Sequence, residues 1–274
     1  MECTGDTEAS LCDDDFLRTH KRNKEGRYVV SMALSRDPSC LGNSKDMAFR
    51  HHNSLWKRLS RDSEYLSLYK DFLRECEDLG HLERVVKSSE PPTQYYIPHQ
   101  GILRPDKFPM VFYVLTNLRI VSNVASPAAT GISLNDILMK GDITEDVFQT
   151  ISRFRRQKFA FTTDIQKMCR QILIDPDQQD PQRIVWKTGP NSEVSAYSLK
   201  TVIYVMSNAP FLAIGTLQQL AEDEKSRFPL ASEVLLHDTY MDDIVSGASD
   251  LKTARRLQSQ LREALQSCGM TLHK

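Results

Sequence analysis

The chain has 274 residues, of which 40% are hydrophobic and 26% charged, and a formal net charge of −1. That balance suits a folded globular protein and excludes a collagen-like, low-complexity or strongly polybasic chain. No apolar run reaches the roughly 18 residues that a membrane span needs. The six cysteines (Cys3, Cys12, Cys40, Cys76, Cys169, Cys268) form no CxxC pair, so reduced thiols in an intracellular compartment, cytoplasmic or nuclear, are expected rather than disulfides or a zinc ribbon.

Residues 1–25 are polar and acidic and are expected to be a poorly ordered leader. In the following region, 26–90, Trp56, Leu59, Tyr65, Leu68, Tyr69, Phe72 and Leu73 recur mostly at three- and four-residue steps. That is the stripe of an amphipathic helix or helix pair, with Gly80 as its stop. Residues 88–92 break the pattern and read as a linker. From Tyr95 the texture changes to short apolar runs punctuated by Pro and Gly. Residues 95–97, 111–115 and 118–121 read as strands, 144–156 as a helix and 159–164 as another strand. Residues 202–205 are β-branched and aromatic, and 209–223 follow a helical pattern. Residues 233–246 place two apolar runs, 234–236 and 244–245, around a polar centre, which signals a hairpin without the usual Asn-Gly turn. A last helix aligns Ala254, Leu257, Leu261, Leu265 and Cys268 on one face before Gly269. The order of elements predicts an α+β fold, a small antiparallel sheet backed by helices near 209–223 and 251–268.

Charge is unevenly spread. Residues 91–171 carry 10 basic against 6 acidic groups and form the one net-positive stretch, which includes Arg153, Arg155, Arg156 and Lys158. Such a run suits nucleic acid, and equally a solvated helix face.

The sharpest local signal is Tyr240-Met241-Asp242-Asp243 between the two apolar runs. Adjacent aspartates at a hairpin tip repel each other, and a divalent cation removes that cost. Mg²⁺ takes carboxylate oxygens, keeps waters and accepts substrate phosphates; two such ions stabilise both the attacking and the leaving oxygen of an in-line displacement. Asp164, at the end of the 159–164 strand, is the candidate for the bridging carboxylate from a second strand. The structural alternatives are an exposed acidic turn for the pair and a helix N-cap for Asp164.

These segments resemble, in order, the reverse transcriptase of Bel/Pao-type LTR retrotransposons. The resemblance runs through Gly26-Arg27-Tyr28-Val29-Val30, Leu41-Gly42-Asn43-Ser44, Gly80-His81, Tyr95-Tyr96-Ile97-Pro98-His99 and Leu103-Arg104-Pro105. It continues through Leu118-Arg119-Ile120-Val121, Gly131-Ile132-Ser133-Leu134-Asn135-Asp136 and Phe161-Thr162-Thr163-Asp164-Ile165 with Lys167-Met168 and Arg170-Gln171. It closes with Ala209-Pro210-Phe211-Leu212-Ala213 and the YMDD tetrapeptide at 240–243. It covers nearly the whole chain and implies right-hand polymerase fingers and palm over 91–274, truncated before the thumb, after a small helical region at 26–90.

The resemblance also implies an RNA-directed DNA polymerase that takes RNA or DNA template-primer and dNTP, with two Mg²⁺ ions or Mn²⁺ in their place. Its partners would be the thumb, ribonuclease H and integrase parts of a polyprotein. Asp164 and Asp242 would be metal ligands and Asp243 a supporting, third metal-site carboxylate. Arg119 would meet the triphosphate, where a planar guanidinium binds two oxygens at once, or be a plain surface arginine. The backbone N–H groups of Ile165 and Gln166 would hold phosphates, and Cys169 would lie under the sugar. Tyr204 would line the nucleotide pocket or be a core tyrosine.

The chain departs from the family pattern at four places: Ser122-Asn123-Val124 where Phe-Asp-Gly or Phe-Asp-Ala is expected, Cys169 for an aromatic residue, Val205 for Gly and Gly215 for Arg. They open a second expectation, a catalytically inactive or repurposed remnant that binds nucleic acid or a partner.

Overall fold

The computed structural model describes residues 7–85, 94–103, 118–143 and 147–273. The first part of the chain runs α1 (Glu8–Thr19), β1 (Lys21–Arg22), β2 (Tyr28–Val30), α2 (Lys45–Leu59), α3 (Ser63–Asp78), β3 (Leu82–Arg84), β4 (His99–Leu103) and β5 (Leu118–Ser122). Next come α4 (Val147–Phe154), β6 (Phe159–Asp164), α5 (Met168–Gln171), β7 (Leu173–Ile174), β8 (Arg183–Trp186) and β9 (Ser195–Leu199). The last part holds α6 (Ala209–Glu224), α7 (Pro229–His237), β10 (Thr239–Tyr240), β11 (Asp243–Ala248) and α8 (Leu251–Gln266). The fold is mixed α+β with small sheets, antiparallel except for the β2–β7 pair. The expected linker at 88–92 and strand at 111–115 lie outside the described residues, as do 144–146 at the start of the expected helix.

The chain divides into two compact units. One comprises Met1–Ala33, Met139–Ile174 and Ser207–Lys274; the other comprises Leu34–Leu138 and Asp175–Met206. The first unit carries the three-stranded sheet β10-β11-β6. Helices α7 and α8 pack on β11, α8 also on β6, and α6 forms a further layer against α7 and α8. The expected stripe of α8 is buried at every position, from Ala254 to Cys268, and Gly269 ends the helix with φ +81°.

Two expectations fail in this unit. The leader, read as poorly ordered, contains α1. Thr7 caps it by accepting a hydrogen bond from the Ser10 N–H, and Cys12 and Phe16 are buried. These two, four residues apart, form a short buried stripe in a helix whose two leucines, Leu11 and Leu17, are exposed, and composition averaged over the segment hides it. The Phe16 ring meets Phe211 of α6 edge-on at 6.2 Å. The run 234–236, read as a strand, is the end of α7. Pro229 starts that helix at a position that needs no N–H donor, and the Leu230 N–H donates to the Gln260 side chain of α8. A short apolar run cannot by itself be told from buried helix.

The second unit holds the sheet β3-β9-β8 and the hairpin β4-β5, with α2 packed on β8 and β4 and α3 on β3 and β5. The expected helical stripe at 56–79 is a helix pair, and Gly80 stands just past its end with φ +68°. Tyr69, His99, Trp56, His52 and Trp186 form its aromatic centre; the Tyr69 ring stacks on Trp186 at 4.9 Å, and its hydroxyl meets His99 Nδ1 at 2.5 Å. Gly101 lets β4 approach α3. The Tyr65 hydroxyl donates to its carbonyl at 2.6 Å, and a Cβ there would lie 2.5 Å from that hydroxyl. Residues 95–97, expected as a strand, are buried but form only one bridge, Tyr96 to Arg183, and 202–205 contain a turn.

Candidate metal and nucleotide site

Strands β6 and β11 pair antiparallel, with Asp164 directly opposite Asp243. Directly opposed residues of such a pair have Cβ atoms about 5 Å apart and share a face. Tyr240 pairs with Asp243 across the β10–β11 hairpin, leaving Met241 and Asp242 as a two-residue turn. Met241 takes φ +57°, the left-handed region that a tight hairpin demands and non-glycine residues rarely adopt. The Asp242 carbonyl accepts the Ile165 N–H at 2.7 Å, which ties the turn to the residue after Asp164. Three carboxylates 78 positions apart in sequence (242 − 164 = 78) thus share one end of one sheet.

Register decides which way they face. Ile244, Ser246 and Ala248 point inward and are buried, so Asp243 and the residues in phase with it lie on the opposite face. The inward Ser246 hydroxyl donates to Asp238 at 2.7 Å, and Arg153 donates to the same carboxylate at 2.8 Å. Arg153 therefore serves the structure, while Arg155, Arg156 and Lys158 of its basic run are exposed. Gly247 faces Ala160 in the ladder; any Cβ there would stand 2.5 Å from the Phe159 carbonyl oxygen.

The electrostatics are those of crowded anions. Partial burial first, then the charges of Asp242 and Asp164, raises the Asp243 carboxyl above its usual range. Burial first and Asp242 second push the Cys169 thiol to about 11, so it is neutral at pH 7. His273, which carried no sequence signal, places its ring Nδ1 3.8 Å from an Asp164 carboxylate oxygen, and its N–H donates to the Asp164 carbonyl at 2.8 Å.

These residues fit a hard divalent cation, because mutually repelling carboxylates offer oxygen donors whose repulsion a cation would relieve. Among the described residues no group of three or more His, Cys, Asp or Glu stands ready to hold an ion. The carboxylates would supply part of a coordination shell, with water and phosphate supplying the rest.

Other expectations fare differently. Ile165 is fully buried. Its N–H is spent on Asp242, and the Gln166 N–H donates to the Thr271 carbonyl at 2.8 Å. These donors, expected to hold phosphates, are instead bonded to the carbonyls of the hairpin turn and of the chain at 271. The chain at 271–273 runs beside them, with Leu272 bridged to Ile165 and the Thr163 hydroxyl donating to the His273 carbonyl. Cys169 lies in α5 and is half-buried. Arg119 is exposed on β5, opposite Ile102, and Tyr204 is 74% exposed in a turn, which removes the core-tyrosine alternative. Both belong to the second unit; the unit that carries the carboxylates does not contain them. Gly215, where the family pattern has Arg, faces the Phe16 ring, 3.4 Å from where a Cβ would sit.

Compared with known proteins, the chain matches no family model and no curated protein. Among the described residues no helix is long and apolar enough to cross a membrane.

Proposed function

We propose that this chain is the fingers-and-palm part of a reverse transcriptase resembling those of Bel/Pao-type LTR retrotransposons, extending a primer with dNTPs along an RNA or DNA template. The observation that carries the reading is the register that sets Asp164 opposite Asp243 and ties the Asp242 turn to Ile165. That is the arrangement a nucleotidyl-transfer site needs: carboxylates from two strands on one face, with a flanking hairpin turn.

Asp164 and Asp242 would hold two Mg²⁺ ions, or Mn²⁺, and Asp243 would support them. Bound metal would supply Lewis-acid stabilisation of the attacking and leaving oxygens. The neutral Cys169 thiol adds no further negative charge beside Asp242, so an incoming anionic nucleotide would meet no extra repulsion there. Arg119, exposed on β5, is the candidate for a bidentate contact to phosphate.

A second reading, a remnant that binds nucleic acid without turnover, is favoured by one specific observation. The Ile165 and Gln166 N–H groups, expected to meet phosphates, are already bonded to the Asp242 and Thr271 carbonyls. Primer extension on poly(rA) with dTTP and Mn²⁺, run beside Mn²⁺ binding followed by electron paramagnetic resonance, separates the two. Extension that Asp242→Asn abolishes supports the polymerase. Mn²⁺ held by the carboxylates without extension, even after Cys169→Tyr and Val205→Gly, favours the remnant. Absence of both extension and carboxylate-dependent Mn²⁺ binding sinks the polymerase reading, and loss of template-primer binding in the same samples sinks the remnant reading too.

A further inference from the structure

A groove lies between α1 and α6, within the first unit and lined by residues other than those of the carboxylate site. It encloses about 430 Å³, within the range of pockets that hold side chains or small ligands. Its walls include the apolar Leu17, Ile214 and Leu236, and its charged lining residues are Asp13, Asp142 and Glu222. Lys, Arg and His are missing from its lining among the described residues. Leu17 is 62% exposed although it sits one residue from the buried anchor Phe16. Gly215 contributes no side chain to the wall it shares with Phe16, which leaves the space between the helices open.

We propose that this groove docks a basic amphipathic helix of a partner protein. An apolar floor whose charged lining residues are all acidic selects both features at once, and Glu222 already holds one lysine, Lys225, at 3.5 Å. Aliphatic side chains spaced at i, i+3 or i+4, and i+7 along a helix would enter the floor, while lysines or arginines on its flanks would meet Asp13, Asp142 and Glu222. The same charges repel phosphate, so this face is not a nucleic-acid surface; the proposal stands whether or not the polymerase reading holds. The rim sets orientation and on-rate, the floor holds the helix, and salt weakens only the first contribution.

The probe is a fluorescein-labelled leucine–lysine peptide patterned as an amphipathic helix, titrated against the full chain by anisotropy. Saturable binding is expected. It should weaken by about tenfold or more for Asp13→Lys/Glu222→Lys, and likewise for Gln218→Trp, which fills the groove without changing charge. A reshuffled peptide of the same composition, without an apolar face, should bind at least as poorly. Circular dichroism melts check that each variant folds, and Asp142→Lys replaces any that does not. Equal binding of the reshuffled peptide, or unchanged binding by the variants, overturns the proposal. Self-association of the chain that the peptide displaces would assign the groove to a second copy and overturn it as well.

Discussion

The two units treat polar groups in opposite ways. The hairpin end of the first unit leaves Asp242 and Asp243 exposed and crowded with Asp164. The centre of the second unit buries His52 and His99 among Trp56, Tyr69 and Trp186. His99 is satisfied by the Tyr69 hydroxyl and the Val185 carbonyl; neither His52 ring nitrogen meets a hydrogen-bond partner of good geometry among the described residues. The aromatic centre gains stability from packing and bears the cost of a desolvated imidazole. The hairpin end accepts repulsion and a strained Met241 and gains no packing from its carboxylates. Groups kept under strain without a packing reward are the ones expected to bind something.

Removing the packing breaks the comparison most severely. Trp186→Ala should cost about 3–5 kcal/mol, measured by chemical denaturation, because its ring touches Tyr69, Trp56 and His52. At the hairpin the loss should be functional instead. Asp164→Asn should lower any Mn²⁺-dependent extension on the order of a hundredfold or more, with a melting curve close to that of the parent. A variant that unfolds would make Asp164 a structural group and remove the contrast.

Gly247→Val tests whether the carboxylates depend on the β6–β11 ladder. With a Cβ 2.5 Å from the Phe159 carbonyl oxygen and 2.8 Å from the Gln157 side chain, the strands must part. A cost of about 2–3 kcal/mol is expected, with weaker Mn²⁺ binding although no ligand has changed. Unaltered stability would show that the ladder is looser than its register implies.

Acid should act on the second unit. Burial, then the neighbouring His99 and Lys187, holds the His52 imidazole at about 4, against an ordinary value of 6.5. The unfolded chain therefore takes up a proton below pH 6.5 while the folded chain does so only near pH 4. Stability is full above pH 6.5 and falls as pH drops between the two values. From pH 7 to pH 5 the loss should be about 2 kcal/mol, and His52→Leu should flatten it. The chain's two tryptophans both border His52, so tryptophan fluorescence during denaturation reports on this region. The smallest effect has the opposite sign. Asp243→Asn removes a carboxylate whose charged form its neighbours disfavour. Because the site is exposed and screened, a gain of only a few tenths of a kcal/mol is expected at pH 7; a clear loss would mean that Asp243 anchors the hairpin.

Residues with a long local pattern were legible in advance. Sixteen residues of α8 repeat their apolar stripe often enough to fix both the helix and its buried face, and β6 spans the same six residues, Phe159–Asp164, as the strand expected there. The acidic doublet and a strand-ending aspartate were also visible, because carboxylate spacing is a property of the chain. Tertiary structure decided the rest. It turned 234–236 into the end of a helix, since a short apolar run satisfies helix and strand equally until Gln260 caps Leu230 and α8 covers it. It ordered α1, because two side chains suffice once Phe16 has Phe211 to pack on. It also assigned the N–H groups of Ile165 and Gln166 to carbonyls at 242 and 271. A backbone donor carries no mark in the sequence, and its partner is set only when distant strands are laid side by side.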